Sequence, residues 1–392
     1  MKVFMSDLHI GLGNEIDDFI YDERLIKLLK ELIEMDKEDT ELYIVGDFFE
    51  LTNALNDGYM AETAIEYAEQ FDVSIIDEIF NNHKELIQTF QWFSKKNKIY
   101  YIVGNHDYYL LLNQKIYDRI EQEFDNCEII PYYYDEKFEL FVIHGNQFDV
   151  MNRLSKDENG NIIPSFTEYM NKYMNYHFGK IAVEILSEEL YSDYQNIYPQ
   201  LDVFKWLDNL NKKYLLKFDL KNEWIKIFTQ LIKTPQIKKW LKISYPGVNI
   251  LSNIFVNSIG AFKLGEMIVR IGMFFRSMRN SNYLLMNAEK LLNQKFYIPK
   301  ECLVGFSDQD IFLENDKVKF LIMGHNHRAS MNMIENRSVE KIYVNTGTWK
   351  YRVSRNLGIN RNEFVKKKFI SYLVVGEKNN RLNFKMVREE AF

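Results

Sequence analysis

Cysteine is nearly absent. The 392-residue chain has two, Cys127 and Cys302, far apart and outside any Cys-x-x-Cys pair. That excludes a disulfide framework and a thiolate zinc site, fits a reducing compartment, and leaves both thiols to read as buried small hydrophobes. Proline is scarce, six in all, and no low-complexity tract interrupts a composition that is 46% hydrophobic and 27% charged, the balance of a globular protein. No uninterrupted apolar run reaches the roughly 18 residues a membrane span needs. The longest uncharged stretch, 243–262, is broken by Pro246, Gly247, Asn249, Ser252, Asn253 and Asn257. No signal peptide is visible, because the opening residues read as a core strand running straight to Asp7. A cytoplasmic protein is expected, with peripheral membrane contact left open.

Histidine is scarce too, with seven in the chain, yet five of them fall in one pattern. Five short motifs each stop a strand-like run: Asp7-Leu8-His9, Gly46-Asp47, Gly104-Asn105-His106-Asp107, His144-Gly145 and Gly324-His325-Asn326-His327. The remaining two, His83 and His177, lie in helical stretches and read as structural. Charge is also uneven. Residues 1–80 hold 21 acidic against 5 basic side chains, whereas 221–300 is strongly basic, within a net charge of −7. One segment is suited to cations and the other to anions, although both also fit ordinary solvated faces.

Short apolar runs at 3–6, 42–45, 99–103 and 140–143 alternate with amphipathic helical stretches around Leu25–Ile33 and Ile75–Ile79. Strand–helix–strand order predicts an α/β fold with partly parallel sheets and a site at the strands' carboxyl ends. From 151 to 304 the pattern turns helical, most clearly over 169–190, 224–241 and 263–278. Strand signals resume at 320–323, 342–344, 370–375 and 384–387. The expected organisation is a core of 1–150 plus 305–392, interrupted by a mostly helical insertion, 151–304, long enough for its own apolar core.

Asp7 and His9 are two residues apart, as are His325 and His327; on an extended strand end such pairs face one side. Asp47 has two oxygens and can bridge two cations. Asn105 adds an amide oxygen and His144 a nitrogen. Seven side chains suffice for four ligands on each of two divalent metals if one carboxylate is shared. Such a pair, about 3.5–4 Å apart, would share a water or hydroxide as nucleophile for in-line attack on phosphorus. His106 need not be a ligand: it can face the substrate, stabilise charge there or protonate the leaving oxygen, with Asp107 the neighbouring carboxylate in sequence.

In this order the motifs resemble the signature of the calcineurin-like metallophosphoesterase superfamily, over about 1–150 and 305–392. The resemblance implies a four-layered α/β/β/α sandwich. It implies Asp7, His9 and His327 on the first metal, Asn105, His144 and His325 on the second, Asp47 bridging, and His106 as the catalytic histidine. Manganese is the expected metal, with iron and zinc as the other candidates. Within the superfamily, Ser6-Asp7-Leu8-His9-Ile10-Gly11 is similar to the UDP-2,3-diacylglucosamine pyrophosphate hydrolases, whose helical insertion holds acyl chains. That branch often has Arg at the place of His106, and its insertion is much shorter. A related branch of DNA nucleases shares Gly-Asn-His-Asp but carries a capping domain after the last motif, where this chain has only a strand-rich tail.

The expected function is therefore two-metal hydrolysis of a phosphoric ester or anhydride, on a phospholipid-like or nucleoside-diphosphate-linked substrate. A metal-dependent nuclease is the alternative, and a binding role without catalysis would require a broken ligand set. The segment 263–276 mixes a greasy face with cations. It fits a membrane interface, an acyl-chain cleft, a phosphate-backbone track or a core helix with a basic edge. Thr346-Gly347-Thr348-Trp349 is expected near the site or as packing, and Tyr132-Tyr133-Tyr134 as an edge strand.

Overall fold

Apolar alternation in the strands and apolar stripes on the helices sort this chain into two stacked sheets with helices laid over the larger one. A computed structural model describes residues 1–13, 19–35, 40–54, 57–198, 202–244, 318–336, 339–356 and 363–391. The predicted basic helix 263–278, the segment 263–276 within it, and Cys302 lie outside the described residues.

The strands are β1 (Lys2–Met5), β2 (Glu41–Val45), β3 (Lys98–Ile102), β4 (Cys127–Ile130), β5 (Tyr133–Asp135), β6 (Leu140–Val142), β7 (Ser155–Lys156), β8 (Ile162–Ile163), β9 (Phe320–Met323), β10 (Ser330–Asn336), β11 (Val339–Asn345), β12 (Tyr351–Arg355), β13 (Phe364–Lys378) and β14 (Arg381–Ala391). The larger sheet runs β12-β13-β1-β2-β3-β4, with β14 also paired to β13. Within it β1 to β4 are parallel, and β13 closes antiparallel on β1. The smaller sheet runs β10-β11-β9-β6-β5, its three central strands parallel. The edge position expected for the tyrosine run is met by β5.

Side-chain alternation gives each sheet two apolar faces. Phe4, Tyr43, Val45 and Ile102 of the larger sheet meet Leu140, Val142, Ile322 and Val344 of the smaller one in a buried layer between them. The opposite face of the larger sheet, with Val3, Met5, Leu42 and Ile44, is covered by helices. The fold is the expected α/β sandwich.

The helices are α1 (Asp22–Glu34), α2 (Ala64–Gln70), α3 (Ser74–Asn82), α4 (Lys84–Ser94), α5 (Gln114–Glu121), α6 (Phe166–Ile185), α7 (Glu188–Gln195), α8 (Val203–Tyr214), α9 (Leu220–Ile232) and α10 (Pro235–Ser244). In α1, Leu25, Leu28, Leu29 and Leu32 form one buried stripe, and Asp22 and Glu23 in the first turn favour the helix dipole. The helix predicted over 169–190 is two helices. Leu186 turns extended, and the Ser187 hydroxyl caps α7 by accepting from Leu190 N. The helix predicted over 224–241 is likewise divided, because Pro235 has no N–H to continue α9 and instead starts α10. A small hairpin, β7-β8, interrupts the helical region. Helices α6 to α10 join the same apolar cluster that covers the larger sheet. They also grip edge strand β12, where Tyr198 N donates to Val353 O at 2.8 Å and Arg355 Nε to Asp202 at 2.7 Å.

Candidate metal centre

All five motifs leave carboxyl ends of strands, and the two stacked sheets bring those ends together. The residues following β1, β2 and β3 meet those following β6 and β9. Backbone bonds fasten the first two loops: Leu8 and His9 both donate to Asp47 O, at 2.9 and 3.0 Å. His325 N donates to Asp7 Oδ2 at 2.9 Å and His106 N to Asp47 Oδ1 at 2.9 Å, so the peptide groups of two motifs orient carboxylates of two others.

The paired motifs do not owe their common direction to an extended strand. Strand β1 ends at Met5, and Asp7 and His9 have φ of 53° and 54°; His325 and His327 have 70° and 58°, and Asp47 has 53°. Five non-glycine residues in the left-handed region represent strain of about 1–3 kcal/mol each, a feature that clusters at functional sites. Two motif glycines are fixed by close approach. A Cβ on Gly46, itself at φ 83°, would lie 2.2 Å from His144 Nδ1, and one on Gly104 would lie 2.2 Å from Asp47 Oδ1.

Three overlapping clusters result: Asp7 with His9 and His327; Asp47 with His144 and His325; and Asp47 with His9 and His106. His327 Nε2 lies 3.1 Å from Asp7 Oδ1, His144 Nε2 3.1 Å from Asp47 Oδ2, and His9 Nε2 3.8 Å from the same Asp47 oxygen. Asn105 Oδ1 is 3.2 Å from His144 Nε2. Asp7, His9, Asp47 and His144 are all buried. Every predicted site residue is therefore drawn into one constellation.

The donor chemistry calls for cations. His144 Nδ1 faces the Val45 carbonyl at 2.8 Å and must donate there. Its other nitrogen then meets two acceptors, Asp47 Oδ2 and Asn105 Oδ1. An extra proton or a metal ion reconciles three acceptors at one point. His9 Nε2 is buried with no hydrogen-bond partner among the described residues. The electrostatics carry the same signature. Burial works to lower the His144 pKa, but Asp47 and Asp7 raise it to about 10. Burial works to raise Asp7, but His327 and His144 bring it down to about 2.

Several participants carry no motif signal. Glu50 holds both His9 Nδ1, at 3.0 Å, and His106 Nδ1, at 2.7 Å. Asp107, the expected partner of His106, instead accepts from Gly104 N, Phe48 N and Tyr101 Oη and braces the loop. Asp149 lies 3.2 Å from His325 Nε2. Ser6 Oγ donates to Asp7 Oδ2 at 2.5 Å. Thr348 Oγ1 and Trp349 N both donate to Asp7 O, and Trp349 is wholly buried, so that segment supports the Asp7 loop from behind. His83 is buried against Asp22, and His177 packs on Tyr173 and Tyr176, both in structural roles. Burial pushes the Cys127 thiol up to about 12, as expected of an inert side chain.

A cleft of about 270 Å³ opens over the constellation. His9, Asp47, Asn105, His106, His325 and His327 line one part of it. Residues of α6, of the end of α7 and of the segment after it, including Asn171, Asn175, Gln195 and Tyr198, line another, with Lys350 and Arg352 from the edge strand region. No helix among the described residues is long and apolar enough to cross a membrane.

A two-sheet sandwich with carboxylates, imidazoles and an amide converging at its strand ends defines a metal-dependent hydrolase. A family profile described as calcineurin-like phosphoesterase matches residues 3–329, and the chain belongs to that family. No curated protein matches it. Among solved structures it is similar to the phosphopantetheinyl hydrolase of Mycobacterium tuberculosis, at 12% identity over 88% of this chain and 89% of that one, with a TM-score of 0.25.

Proposed function

We propose that the chain hydrolyses phosphoric esters or anhydrides with two divalent cations. Asp7, His9 and His327 would hold one, Asn105, His144 and His325 the other, and Asp47 both. The observation that carries this reading is His144, whose Nε2 faces two acceptor oxygens while its Nδ1 is committed to a carbonyl. The donor set of imidazole and carboxylate suits manganese, iron or zinc, with manganese the first to test. Bound cations would supply Lewis acidity at phosphorus and an activated water.

The chain's own residues supply the rest. Glu50 fixes His106 by Nδ1, which leaves Nε2 for the cleft that His106 lines. From there His106 can hydrogen-bond the phosphoryl oxygens and give its proton to the leaving oxygen as the P–O bond breaks. Glu50 also holds His9, so one carboxylate sets the orientation of a ligand and of the proton donor. Neutral carboxamides along the cleft suit a polar organic group, such as a nucleoside joined to the reacting phosphate. Lys350 and Arg352 are the lysine and arginine among the described lining residues. The carboxamides favour a small nucleoside-diphosphate-type substrate over a nucleic-acid strand, whose backbone is met by rows of cations.

The test is metal analysis coupled to turnover. Protein carrying manganese should hold two ions per chain and cleave bis(p-nitrophenyl) phosphate, and Asp47→Ala should lose both properties. Full activity in metal-stripped protein would sink the proposal.

A further inference from the structure

Arg352, on β12, has an environment unlike that of its neighbours. Arg355, three residues on, gives its Nε to Asp202, and Arg24 and Arg119 are likewise paired with carboxylates. Arg352 lies among two rings instead: its guanidinium carbon is 4.7 Å from the Tyr198 centroid and 4.4 Å from that of Phe369. Among the described residues no carboxylate forms an ion pair with it, and its buried Nε has no hydrogen-bond partner. Arg352 is half-buried, and holding a cation partly out of water without a counter-ion is costly. Stacking on two aromatic faces offsets part of that cost and fixes the plane of the group. Arg352 lines the cleft together with Asn326, His327 and Lys350, close enough to Asp7 for their charges to interact. Asp7 does not neutralise it, being occupied by His327, Ser6 and the His325 amide.

A planar guanidinium, held rigid and short of an acceptor at the rim of a phosphate-cleaving centre, is built for a second anion. Resting on the phosphoesterase reading above, we propose that Arg352 binds a second anionic group of the substrate, adjacent to the phosphorus that is cleaved. The preferred substrates are then phosphoric anhydrides with two linked acidic groups, of the nucleoside-diphosphate type, rather than simple diesters with one. Water adds to one phosphorus, the P–O bond to the bridging oxygen breaks, and that oxygen leaves on the second phosphate, the group Arg352 holds.

The experiment compares manganese-loaded full-length protein with Arg352→Gln and Arg352→Lys on three probes: diadenosine diphosphate (two charges), adenylyl-adenosine (one charge, the same nucleosides) and bis(p-nitrophenyl) phosphate (one charge). Wild type should prefer the two-charge dinucleotide to the one-charge dinucleotide in kcat/KM. Arg352→Gln should lose about 10- to 100-fold on the former, the range of a charged hydrogen bond, and less than about threefold on both one-charge probes. Arg352→Lys, which keeps charge without the fork, should fall between. ADP should compete better than AMP in wild type, and Arg352→Gln should remove the difference. The retained activity on bis(p-nitrophenyl) phosphate serves as the folding control. Equal losses on all three probes, or none on any, would overturn the assignment of Arg352. A wild type inert on all three while holding two metals would instead defeat the phosphoesterase reading, and this inference with it.

Discussion

Glu50 holds His106: its Oε2 lies 2.7 Å from the imidazole Nδ1, and the same oxygen lies 3.0 Å from His9 Nδ1. Burial alone would raise the Glu50 pKa, but His106 and His9 hold it well below the usual carboxylate range. The carboxylate therefore stays charged in a buried place. Glu50→Gln keeps the shape but removes the charge that holds both imidazoles, and it replaces Oε1, which also lies 2.8 Å from His106 Nδ1, or Oε2 with an N–H donor. We expect kcat to fall by about 10- to 100-fold, the usual effect of removing a partner that orients a ligand. Metal content should fall less than kcat, because His9 keeps Asp7 and His327 as fellow ligands in the proposed site. Kinetics with metal analysis on the same sample checks this; an unchanged kcat would show that His106 needs no orientation from Glu50.

Metal removal should weaken the fold as well as the chemistry. Asp7 and Asp47 are buried among imidazoles, and His9 Nε2 has no hydrogen-bond partner among the described residues. Cations that bind only the folded form stabilise it by about 3–4 kcal/mol at 100 to 1,000 times their dissociation constant. Chelation of protein shown to contain metal should therefore lower the melting temperature by several degrees, and re-addition should restore it. An unmoved melting curve would mean that the constellation is satisfied without cations.

The motifs were legible because each ends an apolar strand and because five of the seven histidines fall within them. The partly parallel strands and the resumption of strand pattern after the helical region were legible because short apolar runs mark buried strands without a partner in view. Glu50 was not legible, being one of 21 acidic residues in the first eighty. What distinguishes it is the position of two rings from other parts of the chain. Asp107 drew attention by adjacency to His106, yet adjacent side chains point apart when the backbone turns, and Asp107 faces the amides of Gly104 and Phe48. The shared direction of Asp7 and His9 was expected for the wrong reason: left-handed backbone, not pleat, provides it. The helix breaks at Leu186 and Pro235 carried cap signals, Ser187 and Thr234-Pro235, which apolar periodicity running across them concealed.

Gly104→Ala is expected to disable the site with little change elsewhere. The new Cβ would sit 2.2 Å from Asp47 Oδ1 and 2.6 Å from Asp47 N, and the second of these is backbone that cannot swing aside. Activity should drop by more than about 100-fold, in line with the effect of misplacing a reacting group by about 1 Å, and metal content should drop with it. Gly160→Ala is the control. Unlike Gly104 it has positive φ, 81°, but a Cβ there would meet nothing within 4 Å, so the change should cost only about 1 kcal/mol of stability and leave activity intact. Equal activities in the two variants would contradict the close approach at Gly104.

Glu168 gives the fold a pH dependence away from the metal ligands. It is buried on α6 and accepts from Tyr108 Oη and Tyr109 Oη, both at 2.8 Å, tying that helix to the residues after Gly-Asn-His-Asp. Burial raises its pKa above 4.5; Lys172, one turn along α6, the two phenols and His106 oppose the rise without cancelling it. Tyr67 of α2 faces the same cluster. A raised folded pKa means that the protonated carboxyl favours the native state. The contribution is full below the unfolded value and is lost as pH rises from about 4.5 through the folded pKa. Glu168→Gln, neutral at every pH, should therefore gain stability relative to wild type as pH rises through that window. Glu168→Ala, which leaves two buried phenols without an acceptor, should cost about 1–3 kcal/mol for each. Urea unfolding of the three proteins at pH 5 and pH 8 separates the effects, and a wild type and Glu168→Gln with parallel pH dependence would show that the carboxyl titrates as it does in the unfolded chain.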